Sequence, residues 1–84
     1  MPSVVVYGRE GCCLCREAEG VVERVRSRHP GRFAVELRDI DCDEDLLRRY
    51  LERIPVIEID GEVAFELIVA EPELEQRLGI VGVR

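Results

Sequence analysis

The first forty residues place an amphipathic helix between two short apolar strands, and this order restricts the fold more than any other feature. Residues 3–7 form a β-branched run that ends at Gly8, and residues 33–38 alternate apolar and polar side chains. Between them, from Cys12 to Pro30, apolar side chains recur at helical spacing: Leu14, Ala18, Val21, Val22 and Val25. Two strands joined through a helix are expected to run parallel, with a right-handed crossover.

The second half of the sequence predicts a helix, a hairpin and a last helix. Asp43 is a suitable N-cap for a helix with an apolar face made of Leu46, Leu47, Tyr50 and Leu51. Asp60-Gly61 is a two-residue hairpin signal between strands at 56–59 and 62–67. Pro72 and Gly79 suit the start and the end of the last helix. The predicted fold is α/β, in the order β-α-β-α-β-β-α, with a four-stranded mixed sheet and helices on both faces.

Composition limits the remaining classes. A chain of 84 residues is expected to form a single domain, residues 1–84, because two smaller units would each lack an adequate core. The net charge of −6 argues against binding to nucleic acid or an anionic membrane. We see no signal peptide and no apolar run of membrane-spanning length, so a cytoplasmic protein with reduced cysteines is expected.

Three of the four cysteines, Cys12, Cys13 and Cys15, lie where the first strand gives way to the first helix. Residues three apart on a helix share a face, with Cα atoms ~5 Å apart, which suits a disulfide between Cys12 and Cys15. The helix N-terminus stabilises a thiolate near its first residue, so Cys12 is predicted to be the nucleophile and Cys15 the resolving thiol. Arg9 and Arg16 add positive potential there, partly offset by neighbouring glutamates.

Other interpretations of the cysteines are weaker. They could pack as small apolar side chains. A zinc site needs about four ligands in separated pairs, whereas three cysteines here crowd one turn, so no metal site is predicted. Cys13 could act as an auxiliary thiol that shuffles disulfides, but Cys13 and Cys42 are more simply interpreted as bystanders.

With these residues in view, the sequence resembles the glutaredoxins of the thioredoxin-fold superfamily, and most closely small bacterial glutaredoxin-like proteins. The resemblance rests on the segment from Tyr7 to Cys15, on Arg53-Ile54-Pro55 and on the acidic end of the second strand. It implies a dithiol–disulfide oxidoreductase in which Cys12 attacks and Cys15 resolves. It also implies a cis Ile54–Pro55 bond, with the Ile54 backbone pairing with a bound thiol, and a substrate site that includes Tyr7, Arg9 and Pro55. Arg9 matches the basic residue that contacts a glutathione carboxylate.

The chain departs from the glutaredoxin pattern in three places. Cys13 replaces the usual Pro, Leu14 replaces an aromatic residue, and residues 67–72 lack the Gly-Gly that holds glutathione. The electron donor therefore stays open between glutathione and a system of the thioredoxin reductase type. We expect a monomer without a tightly bound cofactor, acting on protein or small-thiol disulfides. The alternatives are an iron–sulfur cluster carrier with Cys12 as a ligand in a dimer, and a catalytically idle interaction module.

Overall fold

The computed structural model describes residues 2–79 and confirms the mixed α/β fold. The strands and helices, in chain order, are β1 (Ser3–Gly8), α1 (Cys13–Arg28), β2 (Ala34–Asp39), a 3₁₀ turn (Ile40–Cys42), α2 (Glu44–Tyr50), β3 (Val56–Ile59), β4 (Glu62–Glu66) and α3 (Glu71–Arg77).

The four strands form one sheet in the order β2-β1-β3-β4. β1 and β2 are parallel, as expected for strands joined by a helix, whereas β3 is antiparallel to both β1 and β4. Tyr7 at the end of β1 pairs with Val56 at the start of β3. The loop that follows β1 and the segment that precedes β3 therefore lie at the same end of the sheet.

Two apolar clusters cover the two faces of this sheet. One packs α1 and α3 on the sheet through Val4, Val6, Ala18, Val22, Val25, Phe33, Ile57, Val69, Leu74 and Leu78. The other joins the opposite face to α2 through Tyr7, Ile40, Tyr50, Ile54 and Val56, and it also includes Cys15 of α1. Cys15 is thus a core residue as well as a member of the cysteine motif.

The predicted turn and cap signals act as expected. The Asp43 side chain accepts hydrogen bonds from the backbone N–H groups of Asp45 and Leu46, at 2.8 and 3.4 Å, and so caps α2. Asp60 and Gly61 both have positive φ, 53° and 88°, which is the geometry of the tight hairpin turn that joins β3 to β4.

Some boundaries differ from the prediction. α1 begins at Cys13, because Cys12 keeps an extended backbone and serves as the N-cap. α3 begins one residue before Pro72, and the 3₁₀ turn was not predicted. Leu51 was assigned to the apolar face of the second helix, but it is the C-cap of α2 and is 44% exposed.

No helix within residues 2–79 combines the length and the apolar character needed to cross a bilayer.

Candidate active site

Cys12 occupies the N-cap of α1, with its thiol directed at the free end of the helix. Its Sγ accepts a hydrogen bond from the backbone N–H of Cys15 at 3.2 Å, and the side chain is partly exposed. The first turn of α1 carries no acidic residue. Unpaired N–H groups at a helix start stabilise negative charge, so this position suits a thiolate that must also reach a partner.

Cys15 lies beneath Cys12 and is 1% exposed. Burial, reinforced by a hydrogen bond to Cys12, raises the pKa of the Cys15 thiol from its ordinary 9.0 to about 11. The backbone N–H of Arg9 also bonds to this thiol, and this contact opposes the rise. Cys15 is therefore protonated at neutral pH and out of reach of a bulky partner, whereas Cys12 is accessible.

Gly8 is the residue that makes room for Cys15, although its place in the sequence indicated only the end of a strand. A Cβ atom at position 8 would lie 3.0 Å from the Cys15 Sγ and 3.1 Å from its Cβ. Both distances are shorter than ordinary van der Waals contacts. The backbone of β1 can approach the buried thiol this closely only because residue 8 has no side chain.

The Cys15 thiol makes stability depend on alkaline pH. Because its pKa is higher in the folded chain than the ordinary 9.0, the folded state keeps this proton over a range in which the unfolded chain has lost it. The contribution is fully present below pH 9 and is lost as the pH rises through about 11. We expect the free energy of unfolding of the reduced protein to fall more steeply over this range than that of Cys15→Ala. Equal slopes in denaturant titrations of the two proteins would contradict the assignment.

The segment Ile54–Pro55 has the cis peptide bond that the resemblance implied. Pro55 is buried and Ile54 is 9% exposed. The Ile54 N–H donates to the Tyr50 carbonyl at 3.0 Å, so this amide is already engaged inside the protein. The Leu67 N–H donates to the Pro55 carbonyl at 2.9 Å, which holds the chain after β4 against this segment. The predicted pairing of Ile54 with a bound thiol remains a prediction.

The two arginines predicted near the motif border one open cleft. It has a volume of about 620 Å³ and lies between the loop 8–11, α1 and the end of β2, with Arg9, Arg16 and Glu19 in its lining. Arg9 forms an ion pair with Asp41 at 3.2 Å, so a ligand carboxylate would have to share it. Arg16 is exposed on the first turns of α1.

The remaining cysteines are both exposed. Cys13 is the first residue of α1 and Cys42 the last residue of the 3₁₀ turn, and neither is bonded to another cysteine. Among residues 2–79, no group of three or more histidine, cysteine, aspartate or glutamate side chains is arranged to hold a metal ion.

Glu58 accepts hydrogen bonds from both tyrosines of the chain, a contact that the sequence analysis missed. The hydroxyls of Tyr7 and Tyr50 donate to its two carboxylate oxygens, at 3.1 and 3.0 Å. The two rings pack at 5.1 Å between centroids. Tyr7 was predicted to bind substrate, but it is 7% exposed and lies beneath the site, so that role remains a prediction. The available signal was an acidic residue within the otherwise apolar strand 56–59.

The Glu58 contact gives a spectroscopic prediction. Burial raises the pKa of Tyr7 and Tyr50, and the hydrogen bonds to Glu58 raise both further. We expect Glu58→Gln to lower the pH at which phenolate absorbance appears, because it removes the carboxylate charge that favours the protonated phenols. The chain has two tyrosines and no tryptophan, so a near-ultraviolet titration reports these two rings alone. Glu62→Gln, on the exposed start of β4, is the matched control and should leave the titration unchanged.

An apolar rim made of Leu14, Leu67 and Ile68 lies beside the cysteine motif. These residues border one depression of about 340 Å³, and they are 42%, 46% and 73% exposed. Leu67 and Ile68 occupy the region where glutaredoxins carry Gly-Gly. Exposed apolar side chains grouped in this way typically mark a contact surface for another molecule.

The profile of the glutaredoxin-like domain (DUF836) matches residues 3–79. The chain belongs to this glutaredoxin-like family. The match spans every helix and strand described above, including the segment with Cys12 and Cys15. No curated protein sequence gives a significant match.

Two solved structures are similar to this chain in fold. Protein Ne2328 from Nitrosomonas europaea is 28% identical, with a TM-score of 0.75 over 90% of this chain and 89% of that one. Chloroplastic thioredoxin z is 18% identical, with a TM-score of 0.78 over 94% of this chain and 76% of that one. The second comparison supports the thioredoxin-like fold alone.

Proposed function

We propose that this glutaredoxin-like protein is a thiol–disulfide oxidoreductase in which Cys12 is the nucleophile and Cys15 the resolving thiol. The observation that carries the proposal is the pairing of an accessible Cys12 thiol at the start of α1 with the buried, protonated Cys15 thiol beneath it. Membership of the glutaredoxin-like family supports the same chemistry.

The reaction proceeds by two exchanges. The Cys12 thiolate attacks a substrate disulfide, forms a mixed disulfide and releases the first substrate sulfur as a thiolate. Cys15 then loses its proton, attacks the Cys12 sulfur and releases the second substrate sulfur, which takes up a proton. The substrate gains two electrons, and the protein is left with a Cys12–Cys15 disulfide. An external thiol reductant returns the pair to the dithiol state.

The apolar rim favours protein disulfides as substrates. A small thiol such as glutathione offers charged groups, whereas Leu14, Leu67 and Ile68 offer a surface that suits an apolar side chain next to the substrate cysteine. The Arg9–Asp41 ion pair leaves less positive charge for a ligand carboxylate. We therefore place protein substrates ahead of glutathione mixed disulfides.

A coupled reduction assay tests the proposal. NADPH consumption is followed with glutathione plus glutathione reductase and, in parallel, with thioredoxin reductase and its thioredoxin, using insulin and bis(hydroxyethyl) disulfide as acceptors. Turnover that depends on the protein supports oxidoreductase activity. Comparison of the two donor systems then identifies the donor that sustains this turnover. If the protein adds nothing to the rate that the donor thiols give alone, with both donors and both acceptors, a catalytically idle module would be favoured.

The apolar rim leads to a separate prediction, which the same assay measures. Ile68→Ser should lower kcat/KM for the protein acceptor roughly threefold to tenfold more than for the small one, because part of one isoleucine no longer becomes buried on binding. Val63→Ser on β4 removes another exposed β-branched side chain, 44% exposed, away from the rim, and is the control. An equal loss for both acceptors would count against a protein-binding rim.

A further inference from the structure

We propose that the outer edge of β2 pairs with β2 of a second copy of the chain, to form a two-fold dimer with one continuous sheet. β2 is at the end of the strand order and pairs with β1 on one side. Within residues 2–79, no strand pairs with the other side of β2. Leu37 in the middle of β2 is 59% exposed. Such an edge offers unpaired backbone N–H and C=O groups to another strand.

The direction of the backbone groups restricts how two β2 edges can pair. The Ala34 N–H donates to the Pro2 carbonyl at 3.0 Å, so residue 34 points toward β1. Because alternate residues of a strand direct their backbone groups to opposite sides, Glu36 and Arg38 also point toward β1. Val35, Leu37 and Asp39 then point outward. An antiparallel pair of β2 strands must set these outward residues opposite one another.

Charge and strand overlap together select one register. A two-fold axis at Glu36, Arg38 or Asp39 would set two like charges directly opposite each other, which is unfavourable. An axis at Val35 would pair only residues 34–36 of the strand. An axis at Leu37 sets Leu37 opposite Leu37 of the second copy. It also sets Glu36 of each copy opposite Arg38 of the other copy, which gives two pairs of opposite charges. Within one chain Glu36 and Arg38 already form an ion pair at 2.6 Å, so their side chains lie on the same face of the strand.

The edge strand on the opposite side of the sheet does not place opposite charges against each other in this way. β4 is also an edge strand, but its charged residues are Glu62 and Glu66, both acidic. Two copies of β4 would therefore bring like charges together. β2 carries Glu36 and Arg38 symmetrically placed about Leu37, and its third charged residue, Asp39, would lie opposite the uncharged Val35 of the second copy, so β2 is complementary to itself.

The proposed pairing also covers apolar surface and does not involve Cys12 or Cys15. Val35 and Leu37 line an open cavity of about 460 Å³ against α1. In the dimer, Leu37 of each copy meets its counterpart above the joined sheet. Because the two β2 strands run in opposite directions, the two cysteine motifs lie at opposite ends of the dimer. Leu37, Arg38 and Asp39 also line the cleft that contains Arg9 and Arg16, so the pairing borders this cleft, although association itself requires no step of the proposed redox reaction.

Sedimentation equilibrium of the full reduced chain, over a concentration series, tests the inference. Reductant prevents disulfide links through the exposed Cys13 and Cys42. We expect the wild-type mass to rise to that of two chains and no further, because a two-fold pair uses up both β2 edges. Glu36→Arg should weaken association on the order of tenfold, since two attractive cross-strand pairs become repulsive.

The exchanged variant Glu36→Arg/Arg38→Glu separates this register from a general charge effect. It restores both cross-strand pairs and should recover the wild-type association. Glu62→Arg on β4 is the matched control and should leave the association unchanged. Circular dichroism confirms that each variant is folded. A wild-type chain that stays monomeric throughout, an exchanged variant as weak as Glu36→Arg, or a mass that climbs beyond two chains would each overturn the proposal.

Discussion

Replacement of Cys12 by serine is expected to abolish disulfide reduction, with a loss of at least about 10³-fold in kcat. Serine keeps the shape of the side chain but does not ionise at neutral pH, so no nucleophile faces the substrate sulfur. Because Cys15 is 1% exposed and protonated, it cannot replace Cys12. The measurement is NADPH consumption with whichever donor supports the wild-type protein.

Cys15→Ser is expected to behave differently. Cys12 can still attack, but the mixed disulfide cannot be resolved from within the chain, so it should accumulate. Intact-mass spectrometry would show the protein plus one substrate thiol, and reductant would remove the addition. Cys13→Ser and Cys42→Ser are the controls for exposed thiols and should keep most of the wild-type rate. Undiminished turnover in both Cys12→Ser and Cys15→Ser would refute the mechanism.

Gly8→Ala is expected to destabilise the protein and displace the resolving thiol. A change from glycine to alanine in a strand usually gains about 0.5–1 kcal/mol. Here the new Cβ would meet the Cys15 Sγ at 3.0 Å, and overpacking of a core typically costs about 1–3 kcal/mol. We therefore expect a net loss of roughly 1–2 kcal/mol in the free energy of unfolding, measured by denaturant titration under reducing conditions.

A second glycine provides the control for this prediction. Gly20 lies within α1, and a Cβ there would meet its nearest neighbour, the Arg24 Nη1, at an ordinary 3.6 Å. Gly20→Ala should therefore stabilise the protein, by up to about 1 kcal/mol. In a Cys15→Ala background the loss caused by Gly8→Ala should shrink, because the sulfur is gone. The same loss in both backgrounds would show that the contact with Cys15 is not the cause.

Local chemistry was sufficient to predict most of the fold. The hairpin follows from Asp60-Gly61 and the start of α2 from Asp43, because each residue type fixes its own backbone geometry. The parallel pairing of β1 and β2 follows from the helix between them. The start of α1 was placed one residue early, since a cysteine can serve as a cap as well as a first helical residue.

The candidate site was predicted only in part, because several of its contacts join residues far apart in sequence. The proximity of Cys12 and Cys15 follows from their spacing. By contrast, Gly8 is important only because β1 happens to approach Cys15, and no local pattern encodes that distance. Glu58 is 51 residues from Tyr7, and their hydrogen bond depends on the register between β1 and β3.

The burial of Cys15 has a kinetic consequence. Under the proposed mechanism, the electron donor and the electron acceptor must both react at Cys12, because Cys15 is enclosed, and they cannot be bound there together. The two half-reactions are therefore separated in time, as in a ping-pong scheme, with the oxidised protein as the stable intermediate between them. In such a scheme donor and acceptor compete for the same surface, so an excess of either one slows the turnover of the other.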